Sequence, residues 1–466
     1  MSSSPLTQYV PEMDDGVLAK GKAVFSANVW VPKDIIRDPD RFIRASTIEG
    51  KPDHKGNPRL FPLVREAPHH LVCPRHLYDN WAERLADCST ELVVPPAVRS
   101  IFEDHITPRN PPQQAAWDAL ANVASGVLNL SCGKGKTVLG LKKAAQVNLA
   151  TVVVVNSTSL MDQWRLRAKE HLRLSDEHIG VVQGSKEQWD KHLVLCTIQT
   201  LAKRAASLPL DIRLRFGLAI YDEVHHLSAA GFSKTADLFF GLRLGLTATA
   251  EREDALEDVY YSHLGPIFHS DLQGDLEAKI YFKKLPTRLP VSKFLDKAGE
   301  PNIGRMYIAM SQLRERNRRI IRDLVPALEA GRKILVLSHA AEHPVIFGEL
   351  FESMGHSKTY KHGIVIQKTK DRREVIAGAD ITFATMGVAA EALDVEELDT
   401  VAFTTPFQAW GLFSQGKGRI ERMREGKKDP IVLVYEDYLI GQAAGLLGKL
   451  KKNIRKHDRK FSVLRS

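Results

Sequence analysis

The run LNLSCGKGKTVLGLKKA, residues 128–144, has the composition of a phosphate-binding turn. An apolar strand ends at Leu130, a glycine-rich turn covers residues 133–137, and a helical pattern starts at Val138. Glycines let the backbone bend tightly, so that the N–H groups of Cys132, Gly133, Lys134, Gly135 and Val138 can face one anion at a helix N-terminus. Lys136 would reach β- and γ-phosphates, and the Thr137 hydroxyl would ligate Mg²⁺. Leu130 stands where the full GxxxxGK[ST] pattern has its first glycine, so this segment alone also reads as a plain lysine-rich turn. Farther along, LAIYDEVHH puts Asp222 and Glu223 at the end of a hydrophobic strand. There Asp222 can hold Mg²⁺ and its water shell, while Glu223 orients and deprotonates an attacking water. An acidic pair after a strand is common; one downstream of a phosphate loop, with sheet strands between, is not.

Groups of this kind sit at the carboxyl ends of parallel strands in doubly wound sheets. TVVVVN (151–156), HLVLCT (192–197) and LAIYDE (218–223) read as such strands, separated by amphipathic stretches such as SLMDQWRLRAKEHLRL. The rhythm restarts with KILVLSHA (333–340), ADITFAT (379–385), DTVAFTTP (399–406) and DPIVLVYE (429–436). The pattern predicts an α/β chain with two parallel-sheet units in series, over residues 106–275 and 276–445. Residues 1–105, rich in Pro, His and short alternating runs, predict a separate N-terminal accessory α+β module.

A chain of 466 residues is too long for one hydrophobic core. Its net charge of +9 fits a polyanionic partner, and equally a mildly basic soluble protein. Four scattered cysteines form no CxxC pair, which argues against a disulfide framework and for a reducing interior. The polar start MSSSPLTQYVPEMDDG lacks the features of a signal peptide, and no apolar run approaches the ~20 residues that span a bilayer. A soluble, cytoplasmic protein with no membrane contact is expected.

Taken with further segments downstream, these sites make residues 108–435 resemble superfamily 2 helicases. SCGKGKT is similar to motif I and DEVHH to a DExH-type motif II. LGLTATAERED (244–254) resembles motif III followed by the RED element of helicases similar to the xeroderma-pigmentosum group B protein. ATMGVAAEALDVEELD (384–399) resembles motif V, and QGKGRIER (415–422) fits the motif VI pattern QxxGRxxR. The GKT and RED elements point to the DNA-acting branch: the group B type and the phage branch-migration helicases of UvsW type.

The resemblance implies two tandem RecA-like lobes that close on ATP and Mg²⁺ and ratchet along DNA. It implies Gln113 of PPQQAAW as the adenine reader, and Gln415, Arg419 and Arg422 as groups that meet the phosphates. Asp394 would accept a hydrogen bond from a ribose hydroxyl or a motif VI arginine. NSTSLMDQW and TIQTL resemble DNA-contacting motifs, which implies contacts from Asn156, Ser157, Gln163, Trp164, Thr197, Gln199 and Thr200, with Thr385 added from motif V. Thr247 and Thr249 suit either a coupling turn or a simple buried one.

Two segments stay open. His69, His70, Cys73 and His76 could ligate zinc, or form a strand and loop packed on DNA or on the first lobe. Residues 446–466 carry Lys449, Lys451, Lys452, Arg455, Lys456, Arg459, Lys460 and Arg465 against Asp458 alone, a basic tail that either neutralises phosphates or is a solvated helix face. The expected function is an ATP-dependent helicase or translocase acting on single-stranded, forked or branched DNA in phage replication, recombination or repair, with replication or recombination proteins as partners. The alternative is a motor subunit serving a partner nuclease or packaging complex.

Overall fold

The computed structural model describes residues 22–52, 56–79, 89–92, 98–131, 133–224, 233–248, 256–272, 276–387, 395, 397–421, 426–457 and 464–465. The chain divides into two units, Met1–Leu272 and Gln273–Ser466.

The first unit contains β1 (Lys22–Phe25), β2 (Val29–Pro32), β3 (Thr47–Gly50), β4 (Arg59–Pro62), β5 (Arg65–Glu66), β6 (His70–Cys73) and β7 (Ser89–Leu92). These are followed by β8 (Ser125–Leu130), β9 (Thr151–Val155), β10 (Ile179–Gln183), β11 (Lys186–Glu187), β12 (Leu193–Thr197), β13 (Leu218–Asp222), β14 (Leu242–Thr247) and β15 (Ile267–Asp271). The main sheet runs β11-β10-β12-β9-β13-β14-β8-β15, and its pairings are parallel except at the edge strand β11. Helices cover both faces. That is why β9, β12 and β13 are buried at every position, the pattern of a parallel sheet with no solvated side.

Residues 22–92 form sheets of their own within the first unit and pack against the rest of that unit. Their sheet, β5-β6-β2-β1-β7, alternates its side chains between two faces, and both faces are spoken for. Ala23, Val29, Val31, Leu71 and Cys73 pack with Leu256 and Val259. Val24, Trp30 and Val72 pack with Leu214 and Phe240. Arginine side chains fasten the same seam. Arg75 donates to the carbonyls of Ser26 and Gly241, and the fully buried Arg243 donates to those of Ala27, Phe239 and His263.

The second unit holds β16 (Lys279–Leu285), β17 (Ile334–Ser338), β18 (His362–Val365), β19 (Ile381–Thr385), β20 (Thr400–Phe403), β21 (Ile431–Asp437) and β22 (Leu464–Arg465), in the order β18-β19-β17-β20-β21-β16-β22. Every pairing is parallel. Both large sheets are thus RecA-like α/β layers.

The basic segment from 446 is not a free tail at its start. It continues the helix Gly441–His457, whose Ala443, Leu447, Leu450 and Ile454 are buried. Spacings of three and four residues put these on one stripe, with Leu447, Leu450 and Ile454 in the core under the second sheet and Ala443 in a smaller cluster around Phe294. Lys451 reaches back 2.9 Å to Glu436 and lies over the Phe282 ring, while Lys449, Lys452, Arg455 and Lys456 face outward. Among the described residues no helix is long and apolar enough to cross a membrane.

Candidate nucleotide site

β8 delivers the phosphate turn. Gly133 and Gly135 have φ of 85° and 82°, the left-handed region in which a side chain is strained. A Cβ on Gly135 would also lie 2.1 Å from the Gln113 amide nitrogen, so only glycine fits there. The helix Lys136–Val147 follows at once, with Gly135 as its N-cap, and places Lys136 and Thr137 in its first turn. The Lys136 ammonium donates to the Leu130 carbonyl at 2.9 Å, a bond that leaves further N–H donors on the same nitrogen.

Residues outside the turn fix its backbone. Arg109 donates to the Gly133 carbonyl and Gln113 to the Lys134 carbonyl. Gln113 is buried, and its amide oxygen accepts from the Arg109 N–H. The structure therefore shows Gln113 bracing the loop; its reading of an adenine is a proposal. Ser131 and Lys134 are buried as well, while Gly133, Thr137 and Val138 are half-buried. Cys132 lies outside the described residues.

Asp222 ends β13 with a carboxylate 8% exposed. One oxygen accepts the Trp164 indole N–H at 2.8 Å, the other the Glu223 N–H at 3.0 Å. Burial, with the Glu223 charge beside it, pushes the Asp222 carboxyl up to about 6, against the Trp164 bond and the nearby Lys136 ammonium. A cation held there would favour the charged form. Glu223 itself has φ of 51°, an unusual backbone for a residue with a side chain and one that clusters at functional sites. Thr247, at the end of β14, is fully buried, and Thr249 lies outside the described residues.

Trp164 corrects an expectation. It is 0% exposed, so it does not meet DNA directly. Its ring lies against Gly140, where an added Cβ would come within 2.8 Å of it. It is thus a strut between the phosphate helix and Asp222. The stripe Met161, Trp164, Ala168, Leu172 on the helix Thr158–Leu172 carried this signal in the sequence. Thr197 is corrected likewise: it is buried, and its hydroxyl donates to Thr200 at 2.8 Å. Ser157 caps the helix after β9, accepting from the Leu160 N–H. Gln199 is exposed and donates to the Asn156 carbonyl at 3.0 Å, which ties the adjacent β9 and β12 ends together. Asn156, Gln163 and Thr200 are partly exposed beside them.

In the second unit, Gln415 and Arg419 fall on the helix Trp410–Ile420; their side chains, and all of Asp394 and Arg422, lie outside the described residues. Glu421 anchors the end of that helix by accepting from the Ala278 N–H at 2.9 Å. Thr385 closes β19, partly exposed. Zinc at residues 69–76 does not fit the sheet: Cys73 packs with Val29 and Leu71, whereas His70 sits on the other face against the Trp30 ring. Among the described residues no cluster of three or more His, Cys, Asp or Glu could hold a metal.

The donor set fits a nucleoside triphosphate with Mg²⁺: a glycine turn at a helix N-terminus, a lysine with donors to spare, and hard oxygens from Thr137 and Asp222.

Comparison with known proteins agrees. Residues 105–252 match the family model described as the res subunit of type III restriction enzymes. Protein L396 of Acanthamoeba polyphaga mimivirus, named for an ATP-dependent RNA helicase, is 28% identical over 318 residues, 66% of this chain and 59% of its own. The DNA 3'-5' helicase XPB of Kineococcus radiotolerans is 31% identical over 249 residues, 52% of this chain and 43% of its own. Helicase D10 of Escherichia phage T5 is 25% identical over 317 residues, 66% of each chain. The matched residues cover 59% and 43% of the length of the first two of these relatives, about half.

Proposed function

We propose that this chain is a superfamily 2 helicase, an ATP-dependent DNA helicase or translocase that opens or remodels forked or branched DNA. The observation that carries the reading is the convergence, within one sheet, of the turn at residues 131–137 with Asp222 and Glu223. Lys136 and the loop N–H groups would hold the phosphates, Thr137 and Asp222 the Mg²⁺. ATP supplies a phosphoanhydride bond whose cleavage drives the motor. Glu223 orients the attacking water and takes its proton; Trp164 and Gln113 keep the carboxylate and the loop in place. The parts of Gln415, Arg419, Arg422 and Asp394 rest on the resemblance to motifs V and VI.

Asn156, Gln163, Gln199 and Thr200 of the first unit and Thr385 of the second are exposed or partly exposed residues that would contact a strand. The outward Lys449, Lys452, Arg455 and Lys456 add a row of phosphate partners whose contribution falls with salt. The relatives in phage and giant virus support a phage protein working in the host cytoplasm during replication, recombination or repair. An ATPase assay with single-stranded, duplex, forked and four-way DNA, and with single-stranded RNA, tests the reading. Strong stimulation by DNA supports it, and turnover indifferent to every nucleic acid contradicts it.

The family description of residues 105–252 favours a second reading, a translocase subunit that serves a nuclease without separating strands itself. A fork-unwinding assay divides the two.

A further inference from the structure

Lys134 is not explained by the chemistry above. It lies between the two glycines of the turn, it is nearly buried, and its ammonium sits 3.2 Å from the Asp271 carboxylate. Asp271 is the last residue of β15, and its carbonyl accepts the Ser131 N–H at 2.9 Å. Among the described residues β15 is an edge strand whose one sheet neighbour is β8, the strand that carries the turn. An edge strand has a ladder on one side alone and belongs to the more easily loosened parts of a sheet. The first unit ends one residue later, at Leu272. Side chain and main chain of Asp271 thus tie the phosphate turn to the point where the chain leaves the first unit.

The loop backbone around Lys134 is held independently, by Arg109 at the Gly133 carbonyl and Gln113 at the Lys134 carbonyl. The Lys134 side chain can therefore change partner without remaking the turn. A diphosphate in the turn would offer this ammonium an anion of higher charge than one carboxylate. We propose that Lys134 and Asp271 form a nucleotide-sensitive latch, in which bound phosphate draws the Lys134 ammonium away from Asp271 and loosens β15. Asp271 is then a positioning residue that competes with nucleotide for Lys134. This rests on residues 131–137 being the nucleotide site.

The competition sets a direction that a merely structural ion pair would not give. Asp271→Asn removes the competing charge, so ADP with Mg²⁺ should bind about tenfold tighter, the scale of one charged hydrogen bond, while the protein without ADP melts at a lower temperature. The rise in melting temperature on adding ADP should therefore exceed that of the wild type. Asp271→Glu keeps the charge and should restore wild-type affinity. The double variant Lys134→Met with Asp271→Asn should show no tightening over Lys134→Met alone. Amide exchange in β15 should rise on ADP binding in the wild type, and be high without ADP in Asp271→Asn. ADP affinity in Asp271→Asn equal to or weaker than the wild type overturns the latch. Should Asp271→Asn not fold, the exchange of β15 in the wild type decides: no change with ADP overturns the proposal. Lys136→Ala separates the two layers. Undiminished ADP binding in that variant removes the nucleotide site itself, whereas its loss beside an unaltered Asp271→Asn removes the latch alone.

Discussion

In the first unit the opening strand of the sheet, β8, runs into the glycine turn and the helix Lys136–Val147; in the second, the opening strand, β16, runs into Pro286 and Thr287 with no glycine turn. Apart from the extra edge strand β11, the sheet orders match, with β16 where β8 stands, β20 for β13 and β21 for β14. The ends of β8, β13 and β14 carry the candidate site. The ends of β16, β20 and β21 carry a buried network instead. Arg316, near the start of the helix Arg314–Glu329, pairs with Asp437 at 2.7 and 2.8 Å and also donates to the Thr404 carbonyl. The Thr287 hydroxyl bonds to the same carboxylate. Asp437 is 0% exposed and the Arg316 guanidinium is nearly so. Where one unit leaves a lysine with spare donors at a helix start, the other spends an arginine on an internal carboxylate. At these strand ends one plan carries the candidate site in the first unit and a buried ion-pair network in the second.

The largest expected effect concerns the size of the first unit. A chain beginning near Ile106 strips the cover from Leu214, Phe240, Leu256 and Val259 and removes the Ala27 acceptor of Arg243. At roughly 1.5–3 kcal/mol for each large apolar side chain re-exposed, the loss is on the order of 5 kcal/mol or more. The truncated protein should melt well below the full chain and lose turnover on single-stranded and forked DNA in equal proportion. Intact turnover on single-stranded DNA with selective loss on forks would restore an independent module.

Arg316→Met comes next. It leaves Asp437 as a buried charge without its main partner, which costs about 3–5 kcal/mol, visible as a lower denaturation midpoint of the second unit. If this variant kept wild-type stability but lost ATP binding, the contrast between the units would be reversed.

Acid supplies a smaller effect. Burial holds the His339 imidazole down at about 4, where it stacks on Tyr307 and bonds to Thr405; His343 is held low by burial and by Arg316. The unfolded chain takes up a proton below about 6.5 and the folded one does not, so this stability is whole above that pH and falls as pH drops toward 4. A loss of about 2 kcal/mol from His339 by pH 5 is expected, and His339→Gln should flatten the slope of melting temperature against pH. The smallest effect belongs to the outward helix face. Replacing Lys452, Arg455 and Lys456 by Gln should lower the log–log salt slope of duplex binding by up to about 3 and leave turnover at saturating DNA unchanged.

Much of this was legible in the chain itself. Apolar β-branched runs marked β9, β12, β13, β17, β19, β20 and β21 because strands buried on both faces tolerate little else. The turn and the acidic pair were legible because their chemistry is local in sequence. Contacts between distant segments were not: nothing near Lys134 names Asp271, and nothing near Val29 names Val259. Trp164 differs for another reason: its motif resembles one that touches DNA, whereas the apolar stripe Met161, Trp164, Ala168, Leu172 at helical spacing marks a buried face.

The central claim is that the first unit carries the phosphate turn and the base of hydrolysis, Glu223, and the most direct test is single-turnover and steady-state hydrolysis by Glu223→Gln beside ATP binding. ATP affinity close to the wild type, with turnover lower by roughly 10² or more, is the predicted result, since the water loses its base while the phosphate turn survives. Hydrolysis at the wild-type rate in that variant would contradict the account.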